Sequence, residues 1–288
     1  MDGTILKKIN VLLVGHGKWA QNYSDTVQAH SLCKIADHIS ARKLIHDLES
    51  DKEIFANILK KNKIQIIIIA TLPHFQRIIL ENLEGFKGQL ILEKPLFNDK
   101  IDYKFYQDLP SSLKNRIIVN HFHFFSDRYL NLLNIVKDSS IQKLYIRDYG
   151  NGPYRDFISP LLDWGPHAIG LCHHLNSSLK IKNTNKLKNG DAHKWYIKLE
   201  GNIIKDIRIL TGNGFSKKKR FSQFFQTPKK IHKYDVLDSL EEVSPMCKLI
   251  TASINRLKEN EIHWSELHHT FDIASKTAKT LIDIESAH

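Results

Sequence analysis

Cysteine is scarce in this sequence. The three present, Cys33, Cys172 and Cys247, are odd in number, widely spaced and without a C-x-x-C pair. That argues against both a disulfide framework and a zinc ribbon, and leaves buried thiols as the expectation. No apolar run reaches the roughly 18 residues that a bilayer-spanning helix needs. The opening MDGTILKKINVLLVG passes straight into a strand-like segment without a cleavage-site pattern, which suggests a cytoplasmic protein with no membrane partner. Internal repeats and low-complexity linkers are missing as well. Acidic residues are outnumbered, 31 against 42 Lys plus Arg, for a net charge of +11. Such a surplus suits nucleic acid, a membrane surface or an anionic small substrate, but the aromatic-interleaved basic motifs and recognition helix of a nucleic-acid binder are lacking. The one dense basic run, KKKR at 217–220 after TGNGF, reads as a solvated loop. Its alternative is an electrostatic guide for a phosphorylated or nucleotide-linked substrate.

What is present is the material of a folded chain: 42% hydrophobic and 25% charged residues over 288 positions, enough for a real core and long enough to favour two domains. Short apolar runs at 9–15, 32–37, 64–71, 88–95 and 116–122 alternate with helical patterns near 18–30, 40–61, 74–85 and 126–138, the signature of βαβ units and a parallel sheet. IQIIIIAT is continuously apolar, as a central parallel strand covered on both faces should be. The second half changes character. KLYIRDYG, HKWYIKLEG and IIKDIRILTGNG look like strands of an antiparallel sheet, two of them joined by a tight turn at EGN. Two helices near 245–258 and 265–282 close the chain. The expected division is 1–120 and 121–288, with the closing helices able to pack back on the first domain.

At the end of the first strand, VLLVGHGKWAQNY places Gly15 and Gly17 where a tight turn and close backbone approach to a pyrophosphate are required, and Ala20 in the third position, where helix packs on sheet. Asp37 follows 20 residues after Gly17 and can accept both ribose hydroxyls of NAD while repelling the extra phosphate of NADP; Arg42 nearby could offset that repulsion. NAD is therefore favoured over NADP. A glycine turn that binds no dinucleotide is the competing interpretation. Lys94, in ILEKPLF, stands at the carboxyl end of a parallel strand, where doubly wound sheets bind ligands, although a surface lysine before a turn proline would look the same in isolation.

In SPLLDWGPHAIGLCHHL, a carboxylate and an imidazole lie four residues apart in an apolar segment. On a helix, Asp163 and His167 share one face, with Pro166 tolerated in a first turn. Together with the glycine loop, IIIIATLP and Glu93-Lys94-Pro95, this segment resembles in order the motifs of the Gfo/Idh/MocA oxidoreductase family, which includes glucose-fructose oxidoreductase and inositol dehydrogenases. The longer stretch GNGPYRDFISPLLDWGPHAIGLCHHL is similar to a subgroup with matches at Arg155, Asp156, Asp163, Trp164, Gly165, Pro166 and His167.

The resemblance implies an α/β fold with an N-terminal Rossmann doubly wound parallel sheet holding NAD or NADP. A C-terminal α/β domain with an open, mainly antiparallel sheet would cover the nicotinamide and supply a homodimer or homotetramer face. It implies that Lys94 bonds the nicotinamide ribose and substrate hydroxyl, that His167 exchanges the proton, that Asp163 orients substrate or the histidine, and that Pro95 carries a cis bond. Elementary chemistry agrees, since an imidazole with pKa near about 6.5 suits proton exchange at neutral pH and an ammonium favours a developing alkoxide. A capping aspartate beside a core histidine is the alternative for that pair.

The expected catalytic set is Lys94, His167 and Asp163. The cofactor set is Gly15, Gly17, Lys18, Trp19, Ala20, Asp37, Thr71, Pro73, Glu93 and Lys94, and the substrate set His121, Arg155, Asp163 and His167. Gln76 departs from the family pattern, which often has histidine there, and the chain is shorter than many relatives. Histidines in HFHFF and CHH do not make a recognisable metal spacing, so no metal is expected; His121 and His123 on one strand face could line a substrate cleft instead. The pair at 268 and 269 reads as helix surface. The function these features imply is hydride transfer between nicotinamide and a secondary alcohol or carbonyl of a sugar, nucleotide sugar or polyol. The alternative is a noncatalytic dinucleotide-binding protein used for sensing or assembly.

Overall fold

The unbroken isoleucines at 66–69 lie inside a parallel sheet, fully buried as an apolar run without alternation requires. The computed structural model describes residues 8–137, 140–227, 229–235, 241–258 and 270–288. Contacts divide the chain into two units, the first made of Met1–Phe97, Ile101–Asn120 and Val243–Phe271, the second of Asn98–Lys100, His121–Glu242 and Asp272–His288.

The first unit runs β1 (Ile9–Val14), α1 (Lys18–Ala29), β2 (Cys33–Ile39), α2 (Ala41–Ser50), α3 (Ile54–Lys61), β3 (Ile66–Ile69), α4 (Pro73–Glu81), β4 (Gln89–Leu92), α5 (Lys100–Asp108), α6 (Ser111–Lys114) and β5 (Ile117–Val119). Its strands are all parallel in the order β2-β1-β3-β4-β5. The winding reverses between β1 and β3, so the crevice at the carboxyl ends of those two strands is where such a sheet takes a ligand. The helix expected over 40–61 is two helices, broken at Asp51, whose side chain accepts the Glu53 amide and opens a new turn. The helices α5 and α6 were not anticipated.

The second unit begins with a 3-10 turn (Phe122–Phe125), followed by α7 (Asp127–Lys137), β6 (Lys143–Tyr149), α8 (Pro160–Trp164), α9 (Pro166–Leu175), β7 (Leu179–Asn189), β8 (Ala192–Gly201), β9 (Asp206–Gly212), β10 (Lys219–Phe225) and β11 (Ile231–Asp235). Of the closing helices, α10 (Pro245–Lys258) belongs to the first unit and α11 (Thr270–Ser286) to the second from Asp272 onward. The histidines at 268 and 269, and the start of the last expected helix, lie outside the described residues.

Six strands form one sheet in the order β11-β10-β6-β9-β8-β7, antiparallel except for the parallel pair β6 and β9. Register puts Phe224, Leu144, Ile207 and Leu199 in one row and Ser222, Ile146, Ile209 and Ile197 in the next. These rows are buried beneath α8 and α9, which pack on this sheet. The following row, Arg220, Asp148, Thr211 and Trp195, is polar yet equally enclosed.

His173 on α9 pairs with Thr280 of α11 at 2.9 Å. Burial, and then the Lys276 ammonium, lower its pKa to about 4. A depressed histidine pKa means stability that is present above about 6.5, the unfolded value, and is lost as pH falls towards 4. At about 1.4 kcal/mol per unit, His173 should remove about 3 kcal/mol over that window. Denaturant melts at pH 7 and pH 4 check this: His173→Gln should flatten the difference by that order, and an unchanged difference would sink the assignment.

Candidate active site

Gly15 leaves β1 with a φ of +133°, and a side-chain carbon there would sit 2.4 Å from the carbonyl oxygen of Ala70. Only glycine lets β1 turn so tightly against the end of β3. Gly17 caps α1 without a side-chain bond, and no acidic residue occupies the helix's first turn. The opening amides of α1 have no partner within the helix, and a carbon added at Gly17 meets nothing within 4 Å. Open space, outward amides and the positive helix end together fit a dinucleotide pyrophosphate. Lys18 and Trp19 are exposed on this turn, while Ala20 is buried against the sheet. Gly17→Ala should therefore leave the melting temperature unchanged but weaken dinucleotide binding, whereas Gly15→Ala should also cost on the order of 1–3 kcal/mol of stability. Melting curves and calorimetric titration separate the two effects, and equal melting losses would contradict this geometry.

Contrary to the expected strand at 32–37, Asp37 does not end β2, because a bulge against β1 lets the strand continue to Ile39. Its carboxylate accepts the His38 amide at 2.8 Å and the Asn62 side chain at 3.1 Å. His38 instead reaches the glycine turn, bonding the Gly15 carbonyl at 2.6 Å and stacking on His16 at 4.4 Å between ring centroids. No motif signalled that histidine; alternation along a bulged strand selects it. Arg42 lies in the first turn of α2, where Ser40 accepts the Lys43 amide as cap.

Lys94 follows β4 and is half-buried, with a cis bond to Pro95. Beneath it, Glu93 is 6% exposed and accepts Tyr23 Oη at 2.9 Å and Asn120 Nδ2 at 2.8 Å. Burial raises the Glu93 pKa, against the lowering pull of Asn120, Tyr23 and the Lys94 ammonium. The departure at Gln76 has a physical account: its fully buried amide donates to the Thr71 carbonyl at 3.0 Å and the Glu93 carbonyl at 3.1 Å, tying the two loops together. Pro73 starts α4 at the first helical position, where a missing N–H costs nothing.

In the second unit, Asp163 and His167 do not share one helix. Pro166 cannot donate to Leu162, so α8 stops at Trp164 and α9 starts anew with Pro166 at its first position. Asp163 accepts Arg155 at 3.0 Å. His167 is 4% exposed and enclosed by rings of His123 at 4.6 Å, Phe122 at 4.7 Å and His121 at 5.9 Å between centroids. His121 precedes a 3-10 turn and His123 lies within it, so neither is on a strand face, and both are buried. Burial, then the Arg220 cation and His121, push the His123 pKa well below the usual histidine value, so His123 is neutral at pH 7.

The basic run at 217–220 is corrected most. Lys219 and Arg220 open β10, and register sets Arg220 opposite Asp148, with Nε 3.6 Å from its carboxylate. Their side chains are 10% and 5% exposed, and the guanidinium lies over Phe122 at 5.3 Å and Trp164 at 5.8 Å. The row is partly legible as alternation along KLYIRDY, but Arg220 carried no sequence signal beyond its charge. Among the described residues, no group of three or more His, Cys, Asp or Glu is arranged to hold a metal ion, and no helix is long and apolar enough to cross a membrane.

By sequence, no family model and no curated protein matches the chain. Solved structures do. A dehydrogenase from Chromobacterium violaceum superposes with a TM-score of 0.77 at 15% identity, over 98% of this chain and 95% of its own. A myo-inositol dehydrogenase from Corynebacterium glutamicum gives 0.73 at 11% identity, over 98% of each chain. KijD10, a 3-ketoreductase from Actinomadura kijaniata solved with NADP and TDP-benzene, gives 0.69 at 12% identity, over 97% of this chain and 98% of its own. The chain therefore has, over almost its whole length, the fold of these dehydrogenases and ketoreductases, a parallel α/β sheet joined in sequence to a mainly antiparallel one.

Proposed function

We propose that this protein is an NAD(P)-dependent oxidoreductase of the Gfo/Idh/MocA family, acting on a secondary alcohol or carbonyl of a sugar, nucleotide sugar or polyol. The observation that carries it is the glycine turn at the β1 and β3 switch point with Lys94 at the end of β4 in the same sheet. Neighbours of the same fold that act on an inositol or bind a nucleotide-linked ligand support the substrate class.

When bound, a nicotinamide would supply the hydride acceptor or donor. The chain supplies the rest. Amides at Gly17 and the start of α1 would hold the pyrophosphate, and Asp37 and Arg42 would decide between a free and a phosphorylated ribose. The Lys94 ammonium, beside the buried and hydrogen-bonded Glu93 carboxylate, stabilises negative charge on the reacting oxygen. His167 takes or gives that oxygen's proton.

The first test is thermal shift with NAD+, NADH, NADP+ and NADPH on cofactor-free protein. A ligand at 100 times its dissociation constant adds about 2.7 kcal/mol, a shift of several degrees. A shift with one pair identifies the cofactor and justifies an absorbance screen of polyols and nucleotide sugars. No shift with any of the four would overturn the dinucleotide assignment; a shift without turnover on any substrate would favour a binding protein.

A further inference from the structure

Behind His167 in the second unit lies a cavity lined by His123, Tyr129, Asp148, His167, Arg220 and Tyr234, among others. It leaves ≈ 20 Å³ to the centre of a water-sized sphere, room for one water molecule. Its walls carry buried polar atoms without a partner, Nδ1 of His123 and the hydroxyl of Tyr129, the latter 1% exposed. A buried hydroxyl and imidazole of this kind are satisfied by ordered water.

From Tyr234 on the cavity wall, hydrogen bonds lead away from it. The Tyr234 hydroxyl donates to Ser126 Oγ at 3.5 Å, and Ser126 Oγ donates to Glu241 Oε1 at 2.5 Å. Ser126 also accepts the Tyr129 amide at 3.3 Å. A serine oxygen has two acceptor sites and one proton. With both sites taken by Tyr129 N–H and Tyr234 O–H, its proton is committed to Glu241, so the chain of donors has one direction, outward to a half-buried carboxylate.

We propose that this cavity holds one ordered water and that, with Tyr234, Ser126 and Glu241, it forms a proton relay between His167 and solvent. The inference rests on the oxidoreductase reading. When an alcohol is oxidised, its carbon yields a hydride to the nicotinamide and its oxygen yields a proton to His167. His167 passes a proton to the water, the water to Tyr234, Tyr234 to Ser126 and Ser126 to Glu241, which releases one to solvent. Each relay atom gains and loses one proton. His123, kept neutral by burial, lines the path without storing the charge, and burial likewise holds the Tyr234 hydroxyl protonated.

Tyr234, Ser126 and Glu241 are positioning residues, and the test must move something that packing does not. Using a substrate from the alcohol screen, Tyr234→Phe keeps the ring and should lower kcat about tenfold or more, with an enlarged solvent deuterium isotope effect and an unchanged dinucleotide Kd. Glu241→Gln keeps the shape but cannot accept the proton; its lost kcat should return on adding imidazole buffer, to which the parent is indifferent. Parental kcat in both variants, or losses with neither isotope effect nor rescue, would overturn the relay. A parent inactive on every screened substrate is a different result and would overturn the oxidoreductase reading beneath it.

Discussion

Replacing His167 by alanine is expected to lower kcat by at least about 100-fold, the scale of losing a positioned proton acceptor. The dinucleotide Kd should not change, because the proposed pyrophosphate cradle at Gly15 to Ala20 and the proposed ribose acid Asp37 belong to the other unit. Lys94→Ala should lose turnover to a similar extent, since on the proposed mechanism it removes the ammonium assigned to the developing alkoxide. It differs in a second readout: Lys94 adjoins Glu93, whose carboxylate its charge favours, so its loss should make the Glu93 site titrate higher still. Steady-state rates combined with calorimetric Kd values check both variants. Turnover unchanged in either would remove that residue from the chemistry, and a lost Kd in His167→Ala would mean that the substitution acted through the fold.

Arg220→Met should destabilise the protein by about 3 kcal/mol or more. Burying an arginine beside an aspartate costs desolvation on both sides, and removing the arginine takes a counter-charge from a carboxylate that stays enclosed. Asp148 is 5% exposed on its side chain and directly opposite Arg220 across β6 and β10. Methionine keeps much of the apolar stem over Phe122 and Trp164, so the loss reports the charge pair more than the packing. The double variant Arg220→Met, Asp148→Leu removes both charges and should recover most of the stability, as apolar replacement of a buried pair commonly does. Chemical denaturation of the three proteins measures the coupling. Additive losses in the double variant would show that the two residues act independently.

Much of the first unit was legible because its physics is local. A run such as IIII needs cover on both faces wherever it lies, and a Gly-His-Gly turn after a strand leaves few alternatives for the backbone. The cis bond implied at Pro95 is present. Less legible was β7, LKIKNTNKLKN, whose residues are mostly exposed; with so little burial there is no apolar alternation to mark a strand, and only pairing with β8 reveals it. The segment DWGPH is split between two helices for a reason the sequence does contain, the proline at 166, whose missing N–H breaks the turn that the spacing of Asp163 and His167 suggests.

The sequence by itself determined that strands and helices alternate through the first unit, that a glycine turn follows β1 and that the isoleucine run needs cover on both faces, since each depends on neighbours a few residues away. Tertiary structure alone decided which groups lie buried together. His123 with His167, Arg220 with Asp148 and Tyr234 with Ser126 are separated in sequence by tens of residues or more. Their pairing comes from strand register and from helices closing one sheet face, and it is burial in that face, set by no local pattern, that determines which proton and which charge each of them keeps.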